Sequence, residues 1–179
     1  MNFIAWIIVV CEAAFWAVII AGLTTRYLFK QKKLGLLLLA LTPVIDLILI
    51  VITGIDLAGG ATATQAHALA AVYIGVSISF GKSMIQWADE RFLYHVVKQR
   101  PKPEKKYGMD YAKHYFAGWL RHVAAYLIGA TVLAGLIFWI EAPSRTEALS
   151  GMLKIWSLVL GIDLLIAMSN FVWPKKARV

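Results

Sequence analysis

The sequence predicts an all-α polytopic membrane protein: a bundle of five transmembrane helices, with the N-terminus outside and the C-terminus cytoplasmic. Three observations predict it. First, 60% of the 179 residues are hydrophobic and the mean hydropathy is +0.71, more apolar surface than a soluble domain of this length can hide. Second, apolar runs of about 20 residues, the length that crosses a hydrocarbon core, occur five times. Third, lysine and arginine fall almost entirely into alternate connections, the pattern that sets the orientation of membrane helices.

In chain order the spans are roughly residues 3–23, 34–55, 65–87, 119–140 and 152–173, all within one transmembrane domain covering 1–179. The connection after the first span holds Arg26, Lys30, Lys32 and Lys33, and the tail holds Lys175, Lys176 and Arg178. The connection after the third span, 88–118, holds seven basic residues from Arg91 to Lys113. On the other side, "DLAGGATATQAHA" has none and "EAPSRTEALSG" has only Arg145. No basic residue precedes the first apolar run, which argues against a cleaved signal peptide. Within 88–118, "KQRPKPEKKYG" carries two prolines and many charges and is expected to form an extended turn. Tyr107, Tyr111 and Tyr115 then recur at four-residue spacing on one helical face. They suit an aromatic belt at a helix end or a short interfacial helix leading into the fourth span.

The third span has two unlike faces. Ala68, Ala71, Gly75, Ser79, Lys82, Ser83 and Gln86 fall on one side; Leu69, Tyr73, Phe80, Met84 and Trp87 fall on the other. Small residues at four-residue spacing let helix backbones approach closely. The third span is therefore expected to be the central packed helix, its packing face formed by Ala68, Ala71, Gly75, Ser79 and Ser83. Lys82 lies on that side, about 7–8 Å below the cytoplasmic helix end at 1.5 Å per residue. Its stem can snorkel to the interface; the sharper expectation is an ion pair with a buried acid.

Three acids lie inside apolar runs: Glu12 in "VVCEAAFW", Asp46 in "TPVIDLILI" and Asp163 in "LGIDLLIAM". Each is roughly 15–18 Å from the cytoplasmic end of its helix, near the middle of a core some 30 Å thick. An acid there costs about 2.5–3.5 kcal/mol on insertion scales, so it should face the bundle interior and find a partner. The expected polar intramembrane site is Glu12, Asp46, Lys82 and Asp163, with Asp163 nearest to the lysine in depth. "VIDLILI" and "GIDLLIA" are alike and their helices run in opposite senses, as in inverted two-helix units flanking a central helix.

Other chemistries lack their motifs. No phosphate loop, dinucleotide fingerprint, nucleophile elbow or metal-binding His/Glu spacing occurs. The histidines His67, His95, His114 and His122 form no pair suited to haem. Cys11 is the lone cysteine, so no internal disulfide or cysteine zinc site is available. No cofactor or metal is expected. The net charge of +8 suits anionic lipid headgroups; without a base-stacking module or recognition helix it does not point to nucleic acid. A small proton- or cation-coupled transporter fits the mid-membrane acids, as a homodimer if five helices enclose no path. The alternative is a non-catalytic protein that assembles with a membrane partner through the small face of the third span. A lipid-directed enzyme has least support.

"GATATQAHALAAVYIGVSISFGKSMIQWADERF" resembles the signature stretch of a family of small integral membrane proteins of Gram-positive bacteria, the YmcC type. The resemblance implies a multi-pass protein of a bacterial plasma membrane. It carries over no activity and no functional residue.

Overall fold

The computed structural model describes residues 3–94 and 106–176, without the side chains at positions 3–5, 8, 9 and 12. Every regular element among the described residues is helical. The order is α1 (Phe3–Tyr27), α2 (Lys32–Leu39), α3 (Thr42–Ala58), α4 (Gln65–Phe92), α5 (Gly108–Ile140), a 3₁₀ turn (Pro143–Arg145) and α6 (Glu147–Val172). Four stretches are long and apolar enough to cross a membrane: Lys32–Ala58, Gln65–Phe92, Gly108–Ile140 and Glu147–Val172. A shorter apolar stretch, Ala13–Tyr27, belongs to α1.

The second expected span, 34–55, is two helices. Pro43 has no N–H to give the Leu39 carbonyl and its ring crowds that turn, so the helix breaks just before it. The Thr42 hydroxyl donates to the Leu39 carbonyl at 3.0 Å, replacing the missing bond. The fourth span differs in the other direction. It continues upstream into one 33-residue helix, about 50 Å long, rather than beginning after a separate interfacial segment. No proline interrupts 108–119, and the tyrosine face docks: Tyr111 and Tyr115 rings lie 6.2 Å apart, and Lys175 Nζ sits 4.7 Å from the Tyr111 ring. Of the expected turn at 98–108, residues 98–105 lie outside the described residues.

α4 is the hub. α5, α3, α6 and α1 all pack on it, and α2 packs on α1. The helix ends bearing Arg26, Arg91 and Lys175 form one end of the bundle, here the basic end. Arg26 pairs with Asp89 at 2.8 Å, Tyr27 stacks on Phe92 at 5.2 Å, and the Gly108 N–H donates to the Lys175 carbonyl at 2.8 Å.

The core lies toward the opposite, distal end, where Leu57, Ala63, Ala68, Ala71, Leu133, Leu136 and Leu149 cluster. Polar bonds tie that end shut. Arg145 donates to the carbonyls of Leu57 and Ala61, and the Ala63 N–H donates to the Arg145 carbonyl at 2.8 Å. The Thr64 N–H donates to Nδ1 of His67 at 3.0 Å, which leaves Nε2–H of the neutral ring to donate to Asp56 at 3.2 Å. The glycine- and threonine-rich turn is thus pinned at several points.

The buried residues of α4 all lie in its first half, from His67 to Gly75. Gly75 marks the closest approach to α5: a Cβ there would overlap the Ala125 carbonyl oxygen and lie 3.2 Å from the Gly129 nitrogen. Beyond Gly75 the α4 residues from Val76 to Ala88 line open space facing α1 and the α2–α3 break, and α1 and α4 meet again at Arg26–Asp89 and Tyr27–Phe92.

Candidate functional site

Asp46 stands on α3 one turn beyond the Pro43 break. It is only 5% exposed, and its carboxylate accepts a hydrogen bond from the Ser77 hydroxyl of α4. The other aspartates of α3, α4 and α6 have stronger company. Asp56 has His67 at 3.2 Å, Asp89 has Arg26 at 2.8 Å and Asp163 has His122 at 3.0 Å. Among the described residues Asp46 has no such cationic or imidazole partner, although it is the most buried of the four. A buried carboxylate with one hydroxyl donor is poorly compensated as an anion. It is stable as the neutral acid, or as the anion beside a bound cation.

Space for such a cation adjoins it. A cavity of about 190 Å³ is lined by Asp46 and Leu49 of α3, Cys11, Phe15 and Trp16 of α1, and Tyr73, Val76, Ser77 and Met84 of α4. A second, of about 300 Å³, shares Phe15, Trp16, Ser77 and Met84 and continues to Trp87 and Ala88. Together they form a groove between α1, the α2–α3 break and α4. From Ser77 to Ala88 it follows α4 for about 16 Å. Asp46 lies toward its distal side, and Trp87 and Ala88 lie toward the basic end. Trp16 and Trp87 on its rim are 58% and 60% exposed. The break at Pro43 helps shape it, because Leu39 and Thr42 are wall residues.

The expected four-residue site is not assembled as a unit. Asp46 faces Ser77 and the groove, whereas Asp163 belongs to a separate network between α5 and α6. Asp163 Oδ1 accepts from the Tyr115 hydroxyl at 3.0 Å, and Oδ2 contacts Nδ1 of His122 at 3.0 Å. Nε2 of His122 accepts from the Trp156 indole N–H at 3.2 Å. Lys82 is exposed on α4 and has no ion pair among the described residues. The expected Lys82–Asp163 pair is therefore replaced by Tyr115 and His122. The Glu12 side chain lies outside the described residues. On the small face of α4, Ala68, Ala71 and Gly75 are buried, while Ser79 and Ser83 are partly so. Ser83 accepts a hydrogen bond from Arg121 of α5 at 2.6 Å.

Sequence reasoning missed Tyr73 and Met84 as groove residues because it set them on the bulky face opposite the packed one, and it placed Ser77 on neither face. The signal was a hydroxyl and a glycine, Ser77 and Gly81, set at four-residue spacing after Tyr73. It also missed His122, weighed only as a haem ligand. An imidazole inside an apolar helix needs a polar partner for the same reason a carboxylate does.

Comparison with known proteins gives one informative relative. The chain is 64% identical over 178 residues to a protein of Bacillus subtilis (strain 168) named "Uncharacterized membrane protein YmcC", covering 99% of this chain and 96% of that protein. No family model and no solved structure matches. With near-complete coverage at that identity, the chain belongs to the YmcC family of membrane proteins.

Proposed function

We propose that this chain is a five-span plasma-membrane protein that exchanges a proton at Asp46 and couples that exchange to movement of a second solute. The observation that carries the reading is Asp46 itself. It is the most buried of the aspartates on α3, α4 and α6, it lacks a cationic or imidazole partner among the described residues, and it borders the groove. A packed distal core and an open-sided groove running from Asp46 toward the basic end suit one conformation of an alternating-access cycle. The distribution of lysine and arginine supports an outside N-terminus, which makes the basic end cytoplasmic and adjacent to anionic headgroups.

The reading as an assembly partner acting through the small face of α4 draws less support. The Ala71–Gly75 part of that face is already packed against Ala125 and Gly129 within the chain.

The experiment is a pH jump on the purified full chain, reconstituted in liposomes on a solid-supported membrane. Wild type is expected to give a transient current as protons reach and leave a membrane-buried acid, and Asp46→Asn is expected to abolish it. Equal currents from the two proteins would overturn the reading.

A further inference from the structure

The shape and chemistry of the groove narrow the solute. We infer that it binds hydrophobic organic monocations in exchange for the proton of Asp46. The inference rests on the proposed proton exchange at that residue and adds the substrate class.

Charge is the first argument. The neutral acid becomes a carboxylate as the cation enters, so one positive charge is compensated by one negative charge and the proton leaves to water. A dication would stay half uncompensated, and an anion would meet the carboxylate. Wall chemistry is the second. Apart from Asp46, the polar groups named along the groove are the hydroxyls of Tyr73, Ser77, Thr42 and Ser83 and the Cys11 thiol. Of these, Thr42 and Ser83 are occupied with Leu39 and Arg121, and Ser77 with Asp46 itself. That is too sparse an oxygen set to replace the hydration shell of an inorganic cation, which for calcium takes 6–8 ligands. The remaining wall is Phe15, Trp16, Trp87, Met84 and aliphatic carbon. Aromatic faces attract organic cations, and methionine adapts to varied shapes.

Size is the third argument. The larger lobe, about 300 Å³, reaches the lower bound of the roughly 300–1,000 Å³ of small-molecule sites, and the adjoining lobe adds a space of about 190 Å³. The exposed rim tryptophans leave the groove accessible to an amphipathic molecule already dissolved in the bilayer. An acyl chain could enter the same opening, but it would set a methyl end against the acid and offers nothing for Asp46 to pair with.

The test uses tetraphenylphosphonium as the probe, with the full chain in lipid nanodiscs. Calorimetry in buffers of different ionisation enthalpy reports both binding and proton release. The expected result is one proton released per cation bound, with affinity rising up to about tenfold per pH unit while Asp46 is protonated. A neutral analogue of the same shape should not compete, Asp46→Asn should lose the proton release, and Lys82→Met should behave as wild type. Binding that ignores pH, or equal binding of the neutral analogue, would show a merely apolar groove and overturn the inference. Both readouts hold in wild type, so they stand even if the Asp46 variant fails to fold. Absence of binding while the pH-jump current persists would reject the substrate class and leave the proton exchange standing; absence of both would reject both.

Discussion

An indole N–H can only donate, so its bond to Nε2 of His122 locates the imidazole proton on Nδ1, facing Asp163. Tyr115 donates to the other carboxylate oxygen. Asp163 is thus held by two donors from α5 and works as a joint between α5 and α6. Side chains in one hydrogen-bonded network are coupled by about 0.5–3 kcal/mol. A double-mutant cycle of His122→Phe and Asp163→Asn, read by melting in detergent, is expected to show coupling in that range. The same cycle for Lys82→Met and Asp163→Asn is expected to be additive, with Lys82→Met close to neutral. The sequence suggested that lysine as the partner because its depth and face matched. What depth and face could not convey is that α5 stands beside α6 and presents a tyrosine and a histidine seven residues apart to the same acid.

At the scale of helices, Gly75 shows what packing demands. Its Cα lies so near the Ala125 carbonyl that any side chain must push α4 and α5 apart. Gly75→Leu is expected to cost about 1–3 kcal/mol, as overpacked cores do. Ile78→Leu, a volume-conserving change at an exposed position, is expected to leave the melting temperature in place. Equal losses from the two would contradict the packing described. The close approach was legible as small residues at four-residue spacing. The groove was not, because the same bulky residues suit either lipid or a cavity wall, and only the placement of α1 and the α2–α3 break opposite α4 decides between them. The break before Pro43 was legible in principle from the proline; an apolar run long enough to span obscured it.

For the molecule as a whole, the all-helical class, the succession of apolar membrane-length helices and the family followed from patterns that extend over many residues and average out local ambiguity. Convergence of side chains did not, since it depends on which helices are neighbours. Three mid-membrane acids suggested one site, yet Asp46 on α3 bonds Ser77 of α4 while Asp163 is held by α5. The orientation proposed from lysine and arginine makes its own prediction. In a Cys11→Ser background, a cysteine at position 61 should react with an impermeant maleimide on intact cells. One at position 106 should react only after permeabilisation. The reverse pattern would invert the topology and place the basic end outside.

The account stands or falls on Asp46 carrying an exchangeable proton inside the membrane. Infrared difference spectroscopy of the full chain in lipid observes that proton directly, through the carbonyl stretch of a neutral carboxylic acid. At neutral pH and with the groove empty, wild type is expected to show such a band, which shifts on deuteration and disappears in Asp46→Asn. Identical carbonyl bands in wild type and Asp46→Asn would contradict a protonated Asp46 and, with it, the proposed exchange.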